Sequence, residues 1–140
     1  MPWFPYQNAS TGSLPYVNGY LARAGQKSGP VPFLIDSGAS YSVVPEKYVR
    51  SLLQGVTGPE EFTGAYDANG KQVMGRRVDF EVQIRGLDFL MEPFWVSSGS
   101  SYYALLGQTW FETFGAQFEN FPSGPKGRRF ALYRCPLPPR

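Results

Sequence analysis

Apolar and polar side chains alternate strictly over residues 78–85, which is the clearest pattern in the chain. Strict alternation predicts a half-buried strand, with every second side chain facing the core. The apolar members are Val78, Phe80, Val82 and Ile84. Residues 86–88 predict a turn into a second strand over 89–96, in which Pro93 indicates a sheet edge or a bulge.

Shorter apolar runs bounded by turn residues predict further strands. They cover residues 14–24, 31–35, 42–44, 102–106, 116–119 and 130–134. Residues 64–73 predict a hairpin with Asn69-Gly70 at its tip, because this dipeptide suits a two-residue turn. A second such pair, Asn18-Gly19, predicts a bulge or turn inside the first of these strands.

Helical signals are few. Residues 45–54 predict one helix, because a proline stands at its start and a glycine follows its end. Residues 109–114 predict a second, because Thr109 and Glu112 have the spacing of a capping box and Gly115 suits the helix end. The predicted fold class is therefore mostly β, with one or two short helices.

The two ends of the chain differ from its middle. Residues 1–13 mix prolines, aromatic and polar residues without periodicity, which predicts an extended arm that packs on a surface. Residues 135–140 form a proline-rich tail, and a turn is expected within 122–127. A single domain is thus expected over 14–134, since 140 residues suffice for one core.

Composition excludes several classes of site. The net charge is only +2, so no electrostatic case for nucleic acid arises. Histidine is absent, which excludes Ser-His and Cys-His catalytic pairs and zinc sites of the zincin type. Cys135 is the single cysteine, so the chain forms no internal disulfide or cysteine metal cluster. Neither a metal nor a cofactor is expected.

Targeting signals are also missing from the sequence. No apolar run approaches the roughly 18–20 residues of a transmembrane helix. The first residues lack the basic-then-apolar pattern of a signal peptide. We expect no membrane segment in this chain, and the sequence indicates no particular compartment.

Candidate chemistry lies where the strand over 31–35 ends. Asp36 follows this apolar run and is itself followed by Ser37 and Gly38. A hydroxyl can hold a turn by local hydrogen bonding, and glycine permits a close approach that a Cβ would block. A second motif, Leu105-Leu106-Gly107, stands about 70 residues later, just before the second predicted helix.

Together, the stretch Asp36-Ser37-Gly38-Ala39 and the Leu105–Gly107 motif resemble the retropepsin family. These are the single-domain, dimeric aspartic proteases of retroviruses, with bacterial and cellular relatives. The resemblance covers roughly residues 14–134 and is closer to the bacterial and cellular members. It implies a small closed β-barrel (the acid-protease half-fold), a flap over a cleft, and one catalytic aspartate per subunit.

The resemblance also implies roles for individual residues. Asp36 matches the catalytic aspartate, and Ser37, Gly38 and Ala39 match the supporting residues of the catalytic loop. The Ser37 position holds the hydroxyl that links two catalytic loops across the dimer axis. The hairpin tip, residues 68–70, matches the flap that covers the substrate. Its members here are Ala68, Asn69 and Gly70. Leu106 and Gly107 match the structural residues beneath the site.

This chemistry needs two carboxyl groups that share one proton, an arrangement for which the aspartic proteases are the standard case. The chain has three further aspartates, placed by the predictions in the flap turn, on the polar face of a strand and in a hairpin turn. They are Asp67, Asp79 and Asp88. The second carboxyl group is therefore expected from Asp36 of a second, identical chain, in a symmetric homodimer acting on a polypeptide. Residues 130–134 are the candidate strand for the dimer interface.

Two positions depart from the viral pattern. Ser40 and Gln108 stand where viral members commonly have an acidic residue and an arginine that hold the dimer. Both halves of that ion pair are missing together, and a hydrogen bond could replace it. Two other functions stay open at this point: a catalytically silent retropepsin-like peptide-binding or dimerisation module, and a small β-rich interaction domain with an accidental Asp-Ser-Gly turn.

Overall fold

The computed structural model describes residues 2–9, 12–67, 69–98, 103–119 and 128–135. Within them the chain forms thirteen strands and three short helical segments. The strands are β1 (Trp3–Pro5), β2 (Gln7–Ala9), β3 (Gly12–Leu14), β4 (Tyr16–Arg23), β5 (Gln26–Lys27), β6 (Val31–Ile35), β7 (Ser42–Pro45), β8 (Glu61–Tyr66), β9 (Gln72–Gln83), β10 (Leu90–Ser97), β11 (Ala104–Leu106), β12 (Phe114–Glu119) and β13 (Arg129–Arg134). The helices are α1 (Glu46–Val49), a 3-10 turn at Arg50–Leu52, and α2 (Gln108–Phe111).

Six strands close into a barrel. The hydrogen-bonded order is β4-β6-β11-β7-β10-β9, and β9 returns to pair with β4 through Tyr20↔Gln83 and Leu21↔Val82. Strand β5 extends the sheet beside β4, and β8 pairs with β9 as a hairpin. Mostly β structure, a closed barrel and two short α-helices confirm the predicted fold class.

The barrel interior is filled by aromatic and branched side chains. The alternation predicted for 78–85 is confirmed, because Val78, Phe80, Val82 and Ile84 are all buried. The ring of Phe94 lies 5.8 Å from that of Phe80 and 6.1 Å from that of Phe33. In α2, the buried Trp110 ring stacks on the ring of Phe114 in β12, with 4.7 Å between the ring centroids. Burial of Trp110 anchors α2 to the barrel.

A second sheet joins the two ends of the chain. Its order is β1-β13-β12, and all pairings are antiparallel. Strand β13 lies in the middle, with Phe130, Ala131 and Leu132 buried. Both edges of β13, the predicted interface strand, are therefore occupied within its own chain. The outer edges of β1 and β12 carry no partner strand among the described residues.

The prediction of a bulge or turn at Asn18-Gly19 was wrong. Asn18 and Gly19 lie inside β4, paired with Pro32 and Val31, because the barrel uses this stretch as a continuous strand. A Cβ at Gly19 would lie 3.1 Å from the Phe33 ring and from the Gln83 carbonyl oxygen. The glycine thus permits a close approach where β4 passes from one neighbour to the next.

Both helix predictions were wrong in extent. Pro45 is extended and ends β7, so the predicted helix over 45–54 reduces to α1 and the 3-10 turn. Helix α2 begins after Gly107 and ends at Phe111, and the predicted capping box does not form. Thr109 instead turns its hydroxyl inward to a buried carboxyl group, and Phe114 and Gly115 belong to β12.

Pro93 sits in a continuous register opposite Asp79, so no bulge forms there. The pairing of β10 with β7 starts only at Phe94, so residues 90–93 have β9 as a neighbour but not β7. The prediction of a sheet edge at Pro93 is therefore confirmed for this part of the strand. The predicted turn at 122–127, residue 102 and the tail from 136 lie outside the described residues. No helix in the described ranges combines the length and apolar character needed to cross a membrane.

Candidate active site

The position of Asp36 is set by strands that are distant in sequence. Strand β11 lies between β6 and β7, parallel to the first and antiparallel to the second. Its last residue, Leu106, pairs with Ile35 and accepts a hydrogen bond from the Asp36 backbone N–H at 3.1 Å. Asp36 therefore starts its turn from a backbone held by a neighbouring strand, with its side chain half-buried.

Local hydrogen bonds shape the turn that follows. The Gly38 N–H donates to Asp36 Oδ1 at 2.9 Å, and the Ala39 N–H donates to the Asp36 carbonyl at 3.2 Å. Among the described residues, no group bonds to the second carboxyl oxygen of Asp36, and the Ser37 hydroxyl has no partner. Ser37 and Gly38 are exposed. The turn thus presents a carboxyl group and a hydroxyl outward.

Helix α2 holds this turn from behind. The Gln108 N–H donates to the Ala39 carbonyl at 2.8 Å, and the Gln108 side-chain amide donates to the Ser37 carbonyl. A Cβ at Gly107 would lie 2.6 Å from the Tyr41 carbonyl oxygen and 2.8 Å from that of Ala39. Close backbone packing therefore requires a glycine at position 107.

Gln108 does not bond to Ser40, the residue it faces in the viral pattern. Ser40 is exposed, while the Gln108 amide is taken up by the Ser37 carbonyl of its own chain. Ser40 and Gln108, which stand in place of the viral ion pair, therefore differ from it in their hydrogen-bond partners as well as in charge. Here the residue after the Leu-Leu-Gly motif supports the turn after Asp36 within its own chain.

The predicted flap is the hairpin of β8 and β9. Asp67 organises its tip, because Asp67 Oδ1 accepts from the backbone N–H groups of Asn69 at 2.8 Å and Lys71 at 2.9 Å. Gly70 has φ +77° and donates its N–H to the Asp67 carbonyl. The tip is thus wider than the predicted two-residue turn. Asn69 and Gly70 are exposed and make no hydrogen bond to the described turn 36–39, and Ala68 lies outside the described residues.

Tyr41 connects the turn that follows Asp36 to strand β8 of the predicted flap. Its hydroxyl donates to the Thr63 carbonyl in β8, and its ring lies 6.3 Å from that of Trp95. The next flap residue, Gly64, has φ +89°, and a Cβ there would lie 2.7 Å from the Tyr41 oxygen. Sequence reasoning missed Tyr41. Its one signal is a large aromatic ring in a turn of small residues.

A buried carboxyl group lies behind the turn. Glu92 of β10 is 2% exposed, and its Oε2 accepts from the Ser42 hydroxyl at 2.8 Å and the Thr109 hydroxyl at 3.2 Å. The pKa of Glu92 is raised overall, chiefly by burial and also by the nearby Glu112. The two hydroxyl groups lower it, but less than burial raises it. Sequence reasoning missed Glu92 as well. The signal was available, because Glu92 shares the inward face of its strand with Phe94 and Val96.

The remaining aspartates are engaged elsewhere. Asp67 binds the flap tip, Asp79 lies on the exposed face of β9, and Asp88 forms an ion pair with Arg134 at 3.0 Å. None of them bonds to the described turn 36–39. Within the described ranges no three acidic or cysteine side chains cluster closely enough to hold a metal ion.

Comparison with known proteins gives a family and a similar overall fold. The family model described as "gag-polyprotein putative aspartyl protease" matches residues 25–113. A retropepsin-like aspartic protease from Rickettsia conorii has a similar structure, at 18% identity and a TM-score of 0.58, over 92% of this chain and 98% of that protein. EIAV protease in complex with the inhibitor HBY-793 matches at 18% identity and a TM-score of 0.48, over 72% of this chain and 88% of that one. No curated protein sequence matches the chain.

Proposed function

The chain belongs to the retropepsin-like aspartic protease family, and from this premise we propose that it is an endopeptidase active as a homodimer. One observation carries the proposal. Asp36 presents a partly exposed carboxyl group on a turn held by both β11 and α2, and the chain's other aspartates lie on different elements. One subunit therefore supplies half of a two-carboxyl site.

The proposed reaction uses Asp36 and Asp36 of the partner subunit. One carboxyl group is charged and the other is neutral, because two close carboxylates cannot both ionise. The charged group removes a proton from a water molecule while the water oxygen bonds to the scissile carbonyl carbon. The neutral group donates its proton to the carbonyl oxygen. A proton then passes to the amide nitrogen, the C–N bond breaks, and a carboxylic acid and an amine leave.

Neighbouring residues take supporting roles in this proposal. The exposed Ser37 hydroxyl, unpartnered within the described chain, reaches the matching turn across the two-fold axis. Gly38 allows the two turns to approach, and Ala39 leaves room beside the substrate. The hairpin tip around Asn69 and Gly70 covers the bound polypeptide.

Subunit pairing in this proposal involves the terminal sheet. Because β13 is flanked by β1 and β12 in its own chain, pairing with a partner needs the outer edge of β1 or β12, or exchange of β1 between subunits. The uncharged Ser40 and Gln108 leave apolar contacts and strand pairing to hold the dimer. We therefore expect dimerisation to tolerate moderate salt.

The first test is cleavage of an unfolded protein substrate at several pH values. We expect Asp36→Asn and Asp36→Ala to abolish cleavage while leaving the fold intact, and Asp79→Asn, an exposed aspartate on β9, to cleave normally. Retained cleavage in either Asp36 variant would refute the mechanism. A wild-type protein that never cleaves would indicate the silent peptide-binding or dimerisation module instead.

The second test examines the shared site. Wild-type protein is mixed with an equal amount of Asp36→Asn protein, and the subunits are allowed to exchange. The activity per wild-type chain should fall to about half, because half of the wild-type chains then sit in mixed dimers that contain one catalytic carboxyl group. Activity should also fall steeply on dilution, in step with dimer dissociation measured by sedimentation. A monomer that cleaves as fast per chain as the concentrated enzyme would exclude a shared site.

A further inference from the structure

Residues 36–41, between β6 and β7, form the catalytic turn of the proposed protease. Behind this turn, two hydroxyl groups converge on one buried carboxyl oxygen. Glu92 Oε2 accepts from Ser42 of β7 and from Thr109 of α2, and Ser42 Oγ in turn accepts from the Gly107 N–H at 3.2 Å. These groups come from three elements that are separated by 17 to 65 residues. They meet where the catalytic turn ends and the helix that supports it begins.

We propose that Glu92 is a positioning residue of the catalytic centre: its carboxyl group fastens the end of the catalytic turn, at Ser42, to the start of α2, at Gly107 and Thr109. This inference rests on the proposed protease function. Its physical basis is burial, since Ser42 is 0% and Glu92 2% exposed. Water cannot replace a lost partner there, so each hydrogen bond is costly to remove.

The connection reaches Asp36 by two routes. Gly107 packs against the Tyr41 and Ala39 carbonyls, and the next residue, Gln108, bonds to both Ala39 and Ser37. A shift of α2 away from β10 would therefore move the whole turn that carries Asp36. Displacements of about 1 Å at a reacting group can lower the rate about 100-fold.

The protonation of Glu92 adds a pH dependence. Its register neighbour on β9 is the buried Phe80, β7 contributes the neutral Ser42, and α2 contributes Thr109 and, at its end, the like-charged Glu112. No ion pair among the described residues includes Glu92. Burial without a cation favours the neutral carboxyl group.

The sign of the effect on stability follows from this preference. The pKa of Glu92 is raised in the folded protein, so the folded state binds the proton more tightly than the unfolded state. The neutral group's contribution to stability is fully present below the ordinary glutamate pKa, about 4.3. It is lost as the pH rises from there through the raised pKa. The catalytic turn is thus best supported at acidic pH.

The experiment compares Glu92→Gln, which keeps a neutral acceptor oxygen, with Glu92→Leu, which removes it. Glu81→Gln and Glu81→Leu on the adjacent strand are the matched controls, since Glu81 is partly exposed and bonds only to Gln83 among the described residues. Hydrogen exchange of the peptides covering 36–42 and 107–111 reports positioning. Steady-state kinetics in the dimeric protein report kcat and KM separately.

We expect Glu92→Leu to speed exchange in both peptides and to lower kcat about tenfold or more with KM within about threefold, because substrate contacts are untouched. Glu92→Gln should keep kcat within about threefold at acidic pH and should lose the decline of stability with rising pH. Ser42→Ala breaks the link to Gly107 and should reproduce the kcat loss if Glu92→Leu does not fold.

Unchanged exchange in Glu92→Leu or in Ser42→Ala, or a change in KM alone, would overturn the proposal. A glutamine variant as impaired as the leucine variant would contradict the role of the acceptor oxygen. If the wild type shows no cleavage that depends on Asp36, the protease function fails on that result. The exchange comparison still decides whether Glu92 positions the turn.

Discussion

Gly107→Ala is the sharpest single test of how the proposed catalytic turn is held. Gly107 has φ −106° and ψ −161°, an extended conformation that alanine adopts without strain. Any cost of the added methyl group is therefore steric. The atoms it would meet belong to the backbone of Ala39 and Tyr41, which cannot rotate away as a side-chain end can.

The expected magnitude follows from the contacts. The new Cβ would lie 2.6 Å from the Tyr41 carbonyl oxygen, against an ordinary contact distance of 3.4–4 Å. Such overpacking costs about 1–3 kcal/mol. Moving the Ala39 carbonyl also weakens the bond it accepts from Gln108, which adds about 1 kcal/mol. We expect a loss of about 2–4 kcal/mol in the free energy of unfolding.

Denaturant unfolding at fixed protein concentration measures this loss, since the proposed dimerisation would make stability depend on concentration. The control is Gly29→Ala, because a Cβ at Gly29 meets no atom within 4 Å and its backbone is not left-handed. It should be neutral or stabilising by about 0.5 kcal/mol. If Gly107→Ala is as stable as Gly29→Ala and cleaves normally, the close packing of α2 on the turn does not constrain the site.

Further substitutions test the contacts on either side of the turn. Tyr41→Phe removes the hydroxyl that donates to the Thr63 carbonyl, so amide exchange along β8 should quicken. The control is Tyr66→Phe, at an exposed tyrosine of β8, which should leave that exchange unchanged. Equal exchange in both variants would exclude Tyr41 as an anchor of the flap. Gln108→Ala removes an exposed bond to the Ser37 carbonyl and should cost at most about 1 kcal/mol of stability. Its kcat should fall about tenfold, and an unchanged kcat would show that the backbone alone positions the turn.

Local signals in the sequence were sufficient for parts of the fold that depend on neighbours in the chain. Strict alternation over 78–85 identified the second half of β9, and the apolar run before Asp36 identified β6 and the turn after it. The same signals failed at Asn18-Gly19. A turn-forming pair was overridden there by barrel pairing on both sides of Gly19.

The supporting residues of the site could not be predicted in the same way. A threonine hydroxyl at position 109 can either cap a helix or donate to Glu92, and only the position of β10 in space decides for Glu92. Glu92 and Ser42 are 50 residues apart, and Tyr41 and Thr63 are 22 apart. No local pattern specifies such pairs.

The position of β11 between β6 and β7 has a consequence for the order of folding. The Asp36 backbone N–H donates to the carbonyl of Leu106, a residue that is synthesised about 70 residues later. Contacts over such sequence distances form late, because the loop between them must close first. A nascent chain that has not reached Leu106 contains the catalytic motif but not the strand and helix that hold it. For the proposed protease, topology thus delays assembly of the site in the growing chain, before the proposed pairing of two subunits completes it.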